Sequence, residues 1–276
     1  MQKPMIKLTT YNVLAQCYVG TDRYTYVENY ETVMDWPWRW NMLQKQFQSF
    51  DSDILCLQEI EQEYYESHYS PFMTSLGYKG VMHGKNKPVG NAIFYKDNMF
   101  TLHSLNERSR ALIANLKVTS DESSKTLVVA NVHLEGNPMK PAERFNQMKS
   151  LLSQIQKQEA TVADQQIIIC GDFNCNNEDG IYKMMNTGSL SSTEIDPVAN
   201  LPYTKQNFNH PYKFNSAYYT IYGREPEVTF VKSGMRADVL DFVWLTNNLN
   251  VMAVEQLTLT KEELLPTSEH PSDHLP

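Results

Sequence analysis

Asn12, Glu59, His133, Asp172, Asn174, Asp241, Asp273 and His274 stand out because each lies beside an apolar run or near the end of the chain. Asn12 closes the run 6–13, Glu59 follows 54–57 and His133 ends 128–132. Asp172 and Asn174 follow 167–170, Asp241 lies within 239–245, and Asp273 and His274 belong to Ser272-Asp273-His274. Carboxylates and amide oxygens are hard ligands that suit Mg²⁺ or Mn²⁺. An imidazole and amide nitrogens can hold and neutralise a phosphoryl oxygen. A carboxylate next to a metal can orient or deprotonate a water for in-line attack. Together the set points to metal-assisted phosphoryl transfer. Each member also has an ordinary explanation: a turn bond for Asn12, a surface charge for Glu59, a core histidine for His133, an Asx turn for Asp172 and Asn174, a frayed tail for 272–274. Asp241 differs, because a carboxylate between Leu240 and Phe242 in an apolar strand needs a partner.

Residues so far apart in sequence meet only if strand ends converge on one crevice, as they do in α/β sheets. The pattern predicts strands over 6–13, 53–58, 92–95, 112–118, 126–134, 166–170 (closed by Gly171), 239–245 and 251–257. It predicts helices over 36–50, capped by Asp35 with Pro37 in the first turn, over 64–76, shifted by Pro71, over 141–158 and over 178–185. Trp36, Trp38 and Trp40 are expected to pack the first helix. The stretch 188–234 is long and rich in Asn, Pro and Tyr, which marks a functional segment.

The chain has 276 residues, a length that allows one large domain or two small ones at about 150 residues each. No repeat or Ser/Gly linker divides it, so one continuous α/β domain over 1–276 is expected. No apolar stretch reaches the roughly 18 residues of a membrane span, and no signal peptide precedes residue 5. Cys17, Cys56, Cys170 and Cys175 form no ligand-like cluster, which suits a reduced, intracellular and cytoplasmic protein. A net charge of −8 argues against nonspecific coating of nucleic acid, and leaves room for an enzyme that grips a few phosphates locally. Lys85, Lys87, Lys140, Arg144, Lys213, Arg224, Lys232 and Arg236 are candidate phosphate contacts. Tyr203, Phe208, Tyr212, Phe214, Tyr218, Tyr219 and Tyr222 are candidates for stacking bases or for core packing.

Six segments, taken in order, resemble the endonuclease/exonuclease/phosphatase superfamily: Thr10-Tyr11-Asn12-Val13-Leu14, Leu57-Gln58-Glu59, Val132-His133-Leu134, Gly171-Asp172-Phe173-Asn174, Leu240-Asp241-Phe242-Val243 and Ser272-Asp273-His274. Within it, Ala92-Ile93-Phe94-Tyr95-Lys96, Ser216-Ala217-Tyr218 and Glu225-Pro226-Glu227-Val228-Thr229 are most similar to carbon-catabolite-repressor-type deadenylases and nocturnin-like proteins. The resemblance implies a deoxyribonuclease I-like, four-layer αββα sandwich of two mixed sheets flanked by helices. It implies Glu59 as the central Mg²⁺ ligand, Mn²⁺ being able to substitute, with Asn12 and Asp273 completing or supporting the metal site. Asp172 would activate the attacking water, Asn174 and His133 would hold the scissile phosphate, and His274, oriented by Asp241, would stabilise developing charge. Asn137, Pro138, Arg224, Lys232 and Arg236 would contact substrate. Arg236 stands where poly(A)-binding relatives carry a stacking Phe, which implies weak preference for adenine. The chain ends at Pro276, where the family adds a closing strand. The implied activity is a Mg²⁺-dependent, 3′-to-5′ exoribonuclease acting on single-stranded RNA as a monomer. The alternatives are a phosphatase on a small nucleotide such as NADP(H) and a non-catalytic RNA-binding protein on the same fold.

Overall fold

A strand buried on both faces carries apolar residues without alternation, and Ile54-Leu55-Cys56-Leu57 and Ile167-Ile168-Ile169-Cys170 are such runs. In the computed structural model, which describes residues 5–20, 23–84, 87–120, 126–157, 165–232 and 236–276, each lies in an interior strand of its own sheet. The first sheet comprises β1 (Leu8–Asn12), β2 (Ile54–Glu61), β3 (Tyr78–Met82) and β4 (Val89–Lys96) in the order β1-β2-β4-β3. β1 and β2 are parallel, and the other neighbours antiparallel. The second sheet starts with β5 (Phe100–Arg108), β6 (Ala111–Val118), β7 (Leu127–His133) and β8 (Gln166–Asp172). A small ribbon, β9 (Ser189–Leu190) with β10 (Phe208–Asn209), intervenes before β11 (Phe214–Ser216). A second ribbon, β12 (Phe230–Lys232) with β13 (Arg236–Asp238), precedes β14 (Asp241–Thr246). The order is β11-β14-β8-β7-β6-β5, with β7 and β8 parallel.

Side chains divide between three apolar layers. Ile54, Cys56 and Ile93 meet Leu112, Val129 and Ile168 between the sheets. Leu55, Leu57 and Phe94 face the opposite way, onto Leu43 and Phe47 of the helix Trp36–Phe50. Ile113, Ala130, Ile167 and Ile169 pack on Phe145, Met148 and Leu151 of the helix Pro141–Gln156. The fold is therefore an αββα sandwich of two mixed sheets. Among the described residues no helix is long and apolar enough to cross a membrane.

Several elements depart from the sequence pattern. Asp35 stands at the helix N-cap, yet its side chain makes no capping bond; its carbonyl accepts the amide of Arg39 instead. The segment 64–76 is broken into a π turn, Tyr65–Tyr69, and a helix, Ser70–Ser75, because Pro71 has no N–H to continue the α-helical ladder. Residues 251–257 form no strand. The outer edge of β14 is already taken by β11, and the segment is tied instead by the Tyr218 hydroxyl, which donates to the carbonyl of Glu255. β8 runs through Gly171 to Asp172. Gly171 has φ +131°, and a Cβ there would lie 2.0 Å from the carbonyl oxygen of Val132. β3 and β5 were hidden by polar residues; β5 alternates buried and exposed positions along an edge of its sheet.

A buried polar link crosses the inter-sheet layer. Asn131 on β7 donates to the carbonyls of Leu57 (2.8 Å) and Ala92 (2.9 Å) in the first sheet. Its amide oxygen accepts from Gln58 Nε2 at 2.7 Å. Asn131→Ala takes this donor from the Leu57 and Ala92 carbonyls, while Gln58 Nε2 keeps Thr10 Oγ1 and the carbonyl of Cys56 as acceptors. A loss of about 1–3 kcal/mol per carbonyl, reduced by relaxation, gives an expected destabilisation of about 2 kcal/mol in urea unfolding at unchanged m value. A loss below about 0.5 kcal/mol would show that the link does not hold the sheets together.

Candidate active site

Register brings the polar strand ends into one row. His133, the last residue of β7, lies opposite Asp172, the last of β8. Asp241, the first of β14, lies opposite Asp172 on the other side. On the first sheet, Asn12 ends β1, and Glu59 sits in a bulge where the β2–β4 register shifts between Leu57 and Ile60. The bulge gives Glu59 a φ of +61° and removes it from the apolar alternation of the strand. Such bulges re-aim side chains next to functional sites, and a non-glycine residue held there stores about 1–3 kcal/mol of strain.

Asn12 joins the two sheets. Its Nδ2 donates to Glu59 Oε1 (3.2 Å) and to Asp172 Oδ2 (3.1 Å), and its Oδ1 accepts from the amide of Leu14 (3.1 Å). Two carboxylate acceptors and one N–H donor fix which end of the amide is which. Asn12 therefore faces the carboxylates with its nitrogen, as a bracket between them, a supporting position beside the metal site rather than one that offers its oxygen. Glu59 Oε2 accepts from the amide of Ala15 at 2.9 Å. Asp172 Oδ1 accepts from the amide of Asn174 (2.8 Å), which itself has φ +50°. His133 Nε2 lies 3.8 Å from Glu59 Oε1 and 3.6 Å from Asp172 Oδ2.

The C-terminal pair is not a frayed tail. The amide of Val231 donates to the carbonyl of Asp273, and that of Leu275 to the carbonyl of Thr229, so 273–275 lie along 229–231 as an added edge. His274 Nδ1 is 2.9 Å from Asp241 Oδ2, and its Nε2 lies 3.8 Å from Asp172 Oδ2. The Thr229 hydroxyl donates to Asp241 Oδ2 and accepts from the amides of Leu240 and Asp241. The partner demanded by a buried carboxylate in an apolar strand is thus His274. Asp273 Oδ2 accepts from the buried hydroxyl of Tyr24 at 2.8 Å. Burial, then the charge of Asp273, raises the pKa of that phenol and keeps it a donor. Arg39, fully buried, fastens the loop after β1 to the C-terminal segment: it donates to the carbonyls of Val13, Leu14 and Pro271 and to Gln16 Oε1.

Glu59, His133, Asp172, Asn174, Asp273 and His274 all line one cavity of about 470 Å³ with Leu14, Tyr18, Arg23, Tyr24, Gly136, Phe230 and Leu240. Among the described residues no three His, Cys, Asp or Glu side chains form a ready-made cage for a metal. The oxygen donors of Glu59, Asp172 and Asp273 on one cavity fit a hard divalent cation of the kind that takes one or two carboxylates and keeps several waters. Thr229 closes the Glu225–Thr229 motif, whereas Tyr18, Arg23, Tyr24 and Phe230 escaped the sequence reading. Phe230, whose ring centroid lies 4.7 Å from that of His274, follows the Glu225–Thr229 motif directly; the others carried no recognisable signal.

The expected substrate contacts are dispersed. Asn137 and Pro138 occupy the loop after β7 beside Gly136. Asn137 is exposed, and its Oδ1 is engaged by the amide of Met139. Arg224 lines a different cavity, of about 320 Å³, with Tyr218, Tyr222 and Gln256. Lys232 and Arg236 pair through their backbones in the β12–β13 ribbon, and their side chains, like Lys85 entirely, lie outside the described residues. Arg144 is buried, not a free phosphate contact. It binds Asp196 Oδ2 (3.2 Å) and donates to the carbonyl of Asn137 (2.8 Å), bracing the loop after β7. Tyr203, Tyr212 and Phe214 are core residues, whereas Tyr219 and Tyr222 are exposed.

The model of the Endonuclease/Exonuclease/phosphatase family matches residues 9–274. The CCR4-Not complex 3′-5′-exoribonuclease subunit Ccr4 of Saccharomyces cerevisiae is 27% identical over all of this chain and 38% of its own length. Human 2′,5′-phosphodiesterase 12 is 27% identical over 98% of this chain and 50% of its own. The chain thus spans half or less of these relatives. Among solved structures, ANGEL2, described as a 2′,3′-cyclic phosphatase with bound adenosine-2′,3′-vanadate, superposes with a TM-score of 0.85 at 24% identity, covering 98% of this chain and 93% of that one. The human Nocturnin catalytic domain does so with 0.69 at 23%, covering 98% and 91%.

Burial disfavours the His274 cation, but the charge and hydrogen bond of Asp241, followed by Asp172 and Asp273, outweigh it and push its pKa up from 6.5 to about 10. A folded-state pKa above the unfolded one gives stability that is complete below about pH 6.5 and lost as pH rises through about 10. With a chelator present, the melting temperature should fall across that window, and His274→Gln should flatten the fall. Parallel profiles for the two proteins would contradict the ion pair.

Proposed function

The chain belongs to the endonuclease/exonuclease/phosphatase family, and from that premise we propose that it hydrolyses phosphodiester bonds of single-stranded RNA, removing nucleotides from the 3′ end with Mg²⁺, or Mn²⁺ in its place. One observation carries this reading: Asp172, almost wholly buried, lies within 4 Å of His133 and His274 and shares the Asn12 amide with Glu59. That is a carboxylate flanked by two potential phosphate-binding imidazoles, next to a second carboxylate that can hold a cation. The names of the Ccr4 and phosphodiesterase 12 relatives both describe cleavage of a ribose phosphodiester, which supports the same class of reaction here.

Residue roles follow from position. Glu59, with Asp273 behind it on the same cavity, is proposed to hold the cation. The bound cation supplies Lewis-acid polarisation of the phosphoryl oxygens. Asp172 orients the attacking water and takes its proton. His133 and the second N–H of Asn174 Nδ2, whose first goes to the carbonyl of Leu134, hold the non-bridging oxygens. His274, kept cationic by Asp241, stabilises charge that grows on phosphorus-bound oxygen in the transition state. The water oxygen bonds to phosphorus, the P–O3′ bond breaks, and the released ribose oxygen takes up a proton. Weak discrimination for adenine remains an expectation of Arg236 in sequence. A phosphatase acting on NADP(H) is favoured by no described residue.

Glu59→Ala should lose turnover without loss of fold, and Asp172→Asn should lower kcat by about 10²–10⁴-fold with KM little changed. The test incubates native and variant proteins with Mg²⁺ and labelled poly(A), mixed-sequence RNA, 2′-5′-linked oligoadenylate, DNA or NADP(H), and resolves the products. Stepwise release of 5′-mononucleotides from RNA is the expected result. Turnover of RNA in excess chelator, or by a folded Glu59→Ala protein, would overturn the assignment. Turnover confined to NADP(H) would replace the substrate.

A further inference from the structure

The loop that follows β1 contributes two side chains to the catalytic cavity that the chemistry above does not use, Tyr18 and Arg23. The segment is fastened at both ends to carboxylates of the cavity and its rim. The amides of Ala15 and Gln16 donate to Glu59 Oε2 (2.9 Å) and Glu61 Oε2 (2.7 Å), and the Tyr24 hydroxyl donates to Asp273 Oδ2 (2.8 Å). A three-residue turn, Gln16–Tyr18, then presents the Tyr18 ring, which is 42% exposed although it borders the cavity. Arg23 is exposed and borders the same cavity, and among the described residues its guanidinium has no hydrogen-bond or ion-pair partner. Glu59, Asp172 and Asp273 line the same cavity, yet among the described residues Arg23 pairs with none of them.

We propose that Tyr18 and Arg23 form a subsite for the nucleotide adjacent to the scissile bond, the ring stacking on its base and the guanidinium binding its phosphate. This rests on the phosphodiesterase reading and narrows it to substrates that carry a second phosphate. An exposed aromatic on a fixed loop is a platform for any base, because every base has a π face. A guanidinium binds phosphate through a planar fork of donors that no neutral residue of this cavity supplies. The carboxylates that suit a cation repel the rest of a polyanion. The Arg23 charge at the same opening offsets that repulsion for a strand and does nothing for a single diester.

The experiment compares ApA, which has one diester and no further phosphate, with ApApA, which has two. The native protein should favour ApApA in kcat/KM, and Arg23→Gln should cut turnover of ApApA about 10–100-fold more than that of ApA. Tyr18→Leu should reduce both, since both present a base beside the cleaved bond. Arg23→Gln should also lower the slope of log(kcat/KM) against log[salt] by about 0.7, one phosphate contact on a single strand. Lys117→Gln, on an exposed position of β6 six residues beyond Ala111, controls for net charge and should alter neither ratio nor slope. Equal effects of Arg23→Gln on ApA and ApApA would overturn the subsite. Fluorescence anisotropy of a labelled 2′-O-methyl trinucleotide in Ca²⁺ separates this from the activity. If the native protein cleaves neither substrate, the phosphodiesterase reading falls, while weaker trinucleotide binding by Arg23→Gln would still uphold the subsite and unchanged binding would end it.

Discussion

The amide nitrogen of Asn12 lies between two carboxylates that come from opposite sheets, Glu59 and Asp172. Like charges brought to one site repel unless something between them holds both. A neutral NH₂ group holds both while cancelling neither, so the pair keeps its attraction for a cation. Much of the surrounding backbone serves this placement. The β2 bulge turns Glu59 inward, the left-handed Leu14 bends the chain just after Asn12, and Gly171 lets β8 pass against Val132 on its way to Asp172. The Asn131 link then fixes the separation of the sheets on which the two carboxylates ride.

Behind the row of strand ends stands a second set of polar residues that hold those at the cavity. Thr229 secures Asp241, Asp241 holds His274, Tyr24 holds Asp273, and Arg39 gathers four oxygen acceptors from both ends of the chain. Each is buried, so each hydrogen bond also fulfils a group that would be costly to leave unpaired. The same bonds that stabilise the fold therefore orient the side chains proposed for catalysis. The loops differ: 134–140 is braced by buried Arg144, while Ala15, Gln16 and Tyr24 are held by Glu59, Glu61 and Asp273.

The sandwich was legible because its interior strands are unbroken apolar runs and its two long helices carry a regular apolar stripe. The candidate site was legible for the same reason: a polar residue that ends such a run, as His133 and Asp172 do, announces a strand end. What sequence could not supply were pairings set by tertiary contact. Tyr24 and Asp273 lie 249 residues apart, and nothing in Arg23-Tyr24-Thr25 marks the hydroxyl as a buried donor. The orientation of the Asn12 amide depends on three partners from three segments. Residues 251–257 carry strand-like alternation, yet β11 already covers the edge they would need. Arg39 offered a clue, a cation set between Trp36 and Trp40 on the face of the helix that turns inward.

The central claim is that a water positioned by Asp172 attacks phosphorus directly, opposite the departing ribose oxygen. Hydrolysis of an RNA oligomer carrying one phosphorothioate of known configuration, run in H₂¹⁸O with Mg²⁺, measures this directly. The account predicts one ¹⁸O in the nucleotide released and inversion at phosphorus. Retention of configuration would reveal a covalent enzyme intermediate, and absence of the label would show that water is not the nucleophile; either result would contradict the account.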